Sequence, residues 1–212
     1  MLIHPWDRGE EQEWQEWLAA RDFGLLAANG PDGAAPVLAP TPFLYEGGSE
    51  VLLHLARPNP IWAAIEADPR LTLAVTDDYA FIPGPWRPPA DTPPEDGVPT
   101  AYYTSIHLVG TATVVDDPAQ KSALLGRQLA RFQPETPIAP IEPGQPPFGR
   151  MLSGIRGLRL DITEVRPKFK YDGQKDPALR TAVAERLAER GRPGDRGARV
   201  QLLRRWEART DS

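Results

Sequence analysis

Between residues 102 and 115 the chain alternates without a break. Thr104, Ile106, Leu108, Gly110, Ala112 and Val114 fall on one face, and Ser105, His107, Val109, Thr111, Thr113 and Val115 on the other. Period two is the signature of a strand. A second such stretch covers 155–165, with Leu158, Leu160 and Ile162 facing one way. Shorter apolar runs at 23–28, 35–44, 51–56 and 70–76 also predict strands, and 79–82 extends the sheet. Turn clusters separate them: Asn29-Gly30-Pro31-Asp32-Gly33 and Glu46-Gly47-Gly48-Ser49.

Helical spacing is confined to a few segments. Trp14, Trp17 and Leu18 form an apolar stripe on a helix over 10–21. Residues 61–67 form a short helix that stops before Pro69, and Asp116-Asp117-Pro118 opens another that runs to Phe132, with acids at its positive end. Two more helices are predicted over 177–190 and from about 195 to 209, separated by Gly191-Arg192-Pro193-Gly194-Asp195. Strands in hairpin-joined runs with few helices between them point to a mainly β fold, an antiparallel barrel with flanking helices. Seven prolines between 83 and 99, and a second proline-rich stretch over 133–147, mark long loops.

Composition narrows the picture. At 212 residues the chain is one domain with an appendage. Cysteine is absent, which excludes disulfides and thiolate metal sites and agrees with a cytoplasmic location. Residues 1–7 carry no basic region or long apolar core, and no apolar run reaches membrane-spanning length. Charge is uneven: residues 1–164 hold 11 basic and 22 acidic side chains, net −11, while 165–212 hold 13 and 7, net +6. The expected organisation is a body over 1–166 and a basic helical tail over 167–212. The tail's arginines at 186, 190, 192, 196, 199, 204, 205 and 209 offer weak contacts to DNA phosphates, or dock on the body.

Nucleotide-loop, metalloprotease and serine-hydrolase motifs are missing, and His4, His54 and His107 are too scattered to suggest a metal site. Asp77-Asp78 and Asp116-Asp117 read as turn and cap residues. The stretch from His54 to Trp62 is more telling: a strand end, then Arg57, then Asn59 as a helix cap and Pro60 in the first helical position. A helix start with a nearby arginine suits an anion, most often a phosphate, although an ordinary capped helix beside a solvated arginine explains the same residues. His107, on the polar face of its strand, suits a ligand groove, a subunit interface or a solvent-facing surface. Trp86, on a rigid loop, suits a planar ring or a core anchor.

Several segments together resemble the PaiB-type FMN-binding negative transcriptional regulators, within the flavin-reductase-like and pyridoxamine-phosphate-oxidase-like split-barrel group. They are Phe23-Gly24-Leu25-Leu26, Ala39-Pro40-Thr41-Pro42-Phe43-Leu44, His54 to Trp62, Ala80 to Trp86, Val98-Pro99-Thr100 with Tyr103, Ile106 to Gly110, and Lys168-Phe169-Lys170 with Gln174-Lys175. The resemblance implies a six-stranded antiparallel FMN-binding split β-barrel that pairs as a homodimer, with FMN in an interfacial groove. It implies that Arg57 and the turn at Asn59 hold the phosphate, that Thr41, His54 and Ala56 line the groove, and that Trp86, Tyr103 and His107 come from the second half of the barrel. Lys168 and Lys170 supply positive charge. The chain departs from the pattern at Ala101-Tyr102, in the long loop 87–97, and at Asp172-Gly173-Gln174. Three functions fit: a flavin-linked regulator or sensor, an FMN-dependent oxidoreductase using NAD(P)H (with a haem-binding variant through His54 or His107), or a dimeric scaffold without flavin.

Overall fold

The computed structural model describes residues 1–210, with side chains as far as residue 205. Six strands, β1 (Phe23–Ala28), β2 (Val37–Pro42), β3 (Glu50–Ala56), β4 (Arg70–Ile82), β5 (Thr100–Val115) and β6 (Ile155–Lys170), form one antiparallel sheet in the order β2-β1-β4-β5-β6-β3. The helices are α1 (Glu11–Ala19), α2 (Ile61–Ala67), α3 (Pro118–Phe132), α4 (Pro177–Arg190) and α5 (Asp195–Thr210). The mainly β class with flanking helices is the one the alternation predicts.

β2, β4 and β6 depart most from their expected bounds. β2 is shorter than 35–44: Pro36 has no amide for a ladder, and Pro40 and Pro42 are tolerated because β2 stands at the end of the strand order. β4 runs unbroken through Asp77-Asp78, where a turn was expected. Asp78 has φ 55° and is buried, and the buried set shifts from Leu71, Leu73 and Val75 to Asp78, Ala80 and Ile82. One extra residue in the strand flips its alternation, as a bulge does. β6 continues past Val165 to Lys170, so Lys168-Phe169-Lys170 lies on a strand. β3 follows β2 in sequence but pairs with β6, from Glu50 opposite Asp161 to Ala56 opposite Ile155, and an isolated bridge joins Leu52 to Leu44, two residues past β2.

The chain divides into two compact units. Unit 2 comprises Gln12–Val75 and His107–Arg166. Its core includes Trp17, Leu26, Phe43, Leu53, Ile61 and Leu73, all 2% exposed or less; each such side chain contributes roughly 1.5–3 kcal/mol of hydrophobic stabilisation. Glycine is required at position 110 in the middle of β5, because a Cβ there would overlap the Asp161 carbonyl on β6. Across β3 lies α3, which turns a stripe of Lys121, Leu124 and Gln128 inward. Leu124 joins Leu44 and Leu52 in a cluster.

Unit 1 comprises Met1–Glu11, Thr76–Ile106 and the chain from Pro167 onward. Tyr102, Phe169, Tyr171 and Ile82 are fully buried in it, and α4 and α5 add Val183, Leu187, Ala198 and Leu202. The proline-rich loop is pinned at its base: a Cβ on Gly97 would overlap the Gly84 carbonyl, so only glycine fits this approach. Arg87 then reaches Asp172 with two bonds, Nε to Oδ2 at 2.6 Å and Nη2 to Oδ1 at 2.8 Å. Tyr102 donates its hydroxyl to the same carboxylate at 2.8 Å. Burial first, then the Asp172 charge, pushes the Tyr102 phenol far above its ordinary range, so it stays a donor.

The tail's arginines are drawn into this packing. Arg190 holds Asp195 at 2.6 and 2.9 Å and the Phe81 carbonyl at 2.8 Å, Arg186 bonds the Pro85 carbonyl at 3.2 Å, and Arg205 bonds those of Trp6 and Arg8 at 3.2 and 2.9 Å. Arg192 and Arg196 at the α4–α5 turn are exposed. Arg209 lies outside the residues with described side chains.

Candidate functional site

The residues singled out from sequence fall into two sets. Thr41, His54, Ala56, Arg57, Asn59 and His107 belong to unit 2, and Trp86, Tyr103, Lys168 and Lys170 to unit 1.

In unit 2 the β3–α2 connection is a self-satisfied turn. The Ala56 carbonyl accepts from the Asn59 amide at 3.0 Å and from the Trp62 indole at 2.9 Å. Asn59 Oδ1 accepts from the Ile61 amide at 3.0 Å, and the Asn59 carbonyl from that of Trp62 at 3.3 Å. The turn's amides are therefore engaged, and α2 is only seven residues long. Anion-binding capacity here rests on side chains.

Those side chains form a cluster around one carboxylate. Arg57 Nη2 donates to Asp116 Oδ1 at 2.7 Å and its Nε to the Ser153 carbonyl at 2.8 Å. Arg156 Nε donates to Asp116 Oδ2 at 3.0 Å and its Nη1 to Glu66 at 2.6 Å. Lys121 Nζ stands 4.0 Å from Asp116 and is bonded to the Leu152 and Ile155 carbonyls at 2.6 and 3.2 Å. Three cations thus gather at Asp116, one of them, Arg156, also reaching Glu66, and the positive end of α3 adds to them. Neighbouring Asp117 is committed to the Gln120 amide at 2.9 Å as the helix cap. Arg57 and Asp116 are 46% and 42% exposed, whereas Lys121 is 3% exposed. Partial burial pushes the Asp116 carboxyl up, but the Arg57 bond and the charges of Arg156 and Lys121 outweigh it and hold the group below its ordinary range.

His54 is fixed by a second polar contact under α3. Its Nδ1 lies 2.7 Å from Gln128 Oε1, while Gln128 Nε2 donates to the Leu52 carbonyl at 3.4 Å. An amide oxygen only accepts, so Nδ1 carries the proton in this contact. Thr41 is buried with its hydroxyl on the Pro42 carbonyl at 3.1 Å. Half-buried His107 has its pKa lowered by burial, then by nearby positive charge including Arg166.

In unit 1 the Tyr103 ring lies under two ammonium groups, Lys168 at 5.6 Å and Lys170 at 5.8 Å. Lys170 bonds the Thr100 hydroxyl at 2.9 Å and Lys168 the Leu2 carbonyl at 2.7 Å. Trp86, closing a short 3-10 turn (Gly84–Trp86), is faced by Arg190 at 4.7 Å and Arg186 at 5.9 Å. It is held within its own unit by the helical pair.

Sequence reasoning missed Asp116 as the centre of the unit 2 cluster, and missed Lys121, Gln128 and Arg156. Asp116 reads as a cap, but Asp117 does that work. Lys121 and Gln128 fall at i and i+7 on one face of α3, and that polar pair on an inward stripe was the available signal.

A comparison with curated proteins found no match. Solved structures share the fold. A flavin adenine dinucleotide and haem binding protein from Mycobacterium smegmatis is 19% identical with a TM-score of 0.59, over 83% of this chain and 78% of that one. A flavocytochrome from Azotobacter vinelandii is 20% identical with a TM-score of 0.58, over 83% and 75%. A conserved hypothetical protein from Mycobacterium tuberculosis is 17% identical with a TM-score of 0.56, over 80% and 90%. The fold is that of the flavin-binding split barrels. Among the described residues no helix is long and apolar enough to cross a membrane, and no three His, Asp or Glu side chains gather as a metal site. A family model matches residues 2–164, and on that match the chain belongs to the family described as "Putative FMN-binding domain", with FMN as its cofactor.

Proposed function

We propose that this chain is a flavin-linked sensor of the PaiB type, a homodimer that holds the phosphate of FMN on Arg57 and acts as a negative regulator of transcription. The observation that carries the binding half is the unit 2 cluster. Three cations surround Asp116, and one of them, Arg57, is half-exposed on a rigid turn. A guanidinium anchored through Nε to a backbone carbonyl is already oriented, so little freedom is lost when an anion arrives. FMN supplies redox chemistry when bound, and the protein supplies position and charge. His54, held through Nδ1 with Nε2 outside that bond, and His107, whose pKa burial lowers, are the imidazoles on β3 and β5. Thr41, Ala56, Asn59, Trp86, Tyr103, Lys168 and Lys170 remain candidates by resemblance.

Pairing is supported by an exposed apolar sheet surface on β1 and β2, where Phe23 and Leu38 are 58% and 56% exposed. Light scattering should give twice 23.4 kDa. Contact with DNA, in a cytoplasmic protein, would use Arg192 and Arg196.

A second reading, an FMN-dependent oxidoreductase with a nicotinamide donor, is favoured by the docking of Arg186, Arg190 and Arg205, which leaves few arginines for DNA. Two of the structural neighbours carry haem or cytochrome in their names, and His54 Nε2 is the nitrogen on which a haem variant would depend. The absorption spectrum of purified protein, then anaerobic NADH and NADPH, separates these. Bound FMN that resists both donors, with salt-sensitive DNA retention, supports the sensor; rapid bleaching without DNA retention replaces it with the reductase. A Soret band moves the ligand to haem.

A further inference from the structure

We infer that Asp116 is an internal competitor for the FMN phosphate: its carboxylate occupies Arg57 in the free protein and sets how tightly, and how selectively, the phosphorylated flavin binds. The inference rests on the reading of Arg57 as the phosphate contact.

Asp116 takes Arg57 Nη2, on the most exposed cation of the cluster, at 2.7 Å. Arg57 Nε is committed to the Ser153 carbonyl, so the guanidinium cannot swing away without losing that bond. A carboxylate and a phosphate use the same N–H donors, so an incoming phosphate dianion meets both a filled donor and a like charge. Asp116 can yield: it is 42% exposed, and no backbone amide bond to its carboxylate ties it to α3, that role belonging to Asp117. Arg156 stays in place without it, through Glu66 and by lying 4.9 Å from the centre of the Trp62 ring. Lys121 likewise keeps its two carbonyl partners. Removing the Asp116 charge therefore leaves the cations positioned and raises the net charge of the cluster by one.

The test is a fluorescence titration of the flavin-stripped full chain with FMN and, separately, with riboflavin, which lacks the phosphate. Asp116→Asn should tighten FMN at least threefold and leave riboflavin unchanged; Asp116→Ser serves if the first variant folds poorly. Unchanged or weaker FMN binding in a variant with the wild-type Tm overturns the inference, as does equal tightening of both flavins. Arg57→Ala, run in parallel, separates the two claims. Loss of FMN affinity there with no response at Asp116 removes only the competitor. Unchanged FMN affinity at Arg57 removes the phosphate reading beneath it.

Discussion

Two Arg–Asp pairs of nearly the same length occupy opposite regimes. In unit 1, Arg87 and Asp172 meet at 2.6 Å and are 9% and 7% exposed; in unit 2, Arg57 and Asp116 meet at 2.7 Å and are 46% and 42% exposed. The first is bidentate, and its carboxylate also accepts from the buried Tyr102 hydroxyl. The second shares its carboxylate with Arg156 and lies open to solvent. Distance does not separate them, but solvation does. Water replaces a lost partner at the open pair and cannot at the closed one, so the buried pair acts as a lock and the open pair is free to exchange.

The largest expected effect breaks the lock. Arg87→Ala strands the Asp172 carboxylate and should cost about 3–5 kcal/mol. For a chain of this size, that lowers the Tm by about 10 °C. Differential scanning calorimetry reads it directly. Asp172→Ala should cost a similar amount, and the double variant less than the sum, because the two residues share one interaction. A Tm within a degree or two of wild type would show that the proline-rich loop is not held by this pair.

The next effect belongs to the open pair. Arg57→Ala should weaken FMN at least tenfold, about 1.4 kcal/mol, with little change in Tm, since exposed pairs contribute about 0–1 kcal/mol. Arg57→Lys should recover only part of the affinity, because an ammonium cannot reproduce the planar fork. The contrast between calorimetry and titration tests the comparison itself: the lock moves stability, and the open pair moves binding. A large Tm loss in Arg57→Ala would put both pairs in one class.

The same contrast explains what was legible in the sequence. Period-two alternation in β5 and the proline and glycine punctuation around the strands are local signals, and the mainly β sheet follows from them. The course of β6 beyond Val165 was hidden because Arg166-Pro167-Lys168 reads as polar punctuation, though its cations stand on a strand. Neither ion pair was visible. Arg87 and Asp172 are 85 positions apart, and Arg57 and Asp116 59 apart. Each is brought together by strands whose pairing no local pattern encodes. The loop's arginine and the aspartate that follows β6 supply each other's partner.

The smallest effect is a pH dependence at the open pair. The native state holds the Asp116 carboxyl below its ordinary 3.8, so folding favours its ionised form. That contribution is fully present above about pH 4 and is lost as pH falls through the lower native value. Because the group is half-exposed, its share stays below about 1 kcal/mol. Asp116→Asn lacks the titration. Wild type should therefore be slightly the more stable at pH 7, with the two melting temperatures converging as the pH drops toward 3. A gap that widens in acid would mean that Asp116 stabilises the fold through shape or neutral hydrogen bonding. Its charge would then not be what occupies Arg57, and the open pair would have to be classed with the lock despite its exposure.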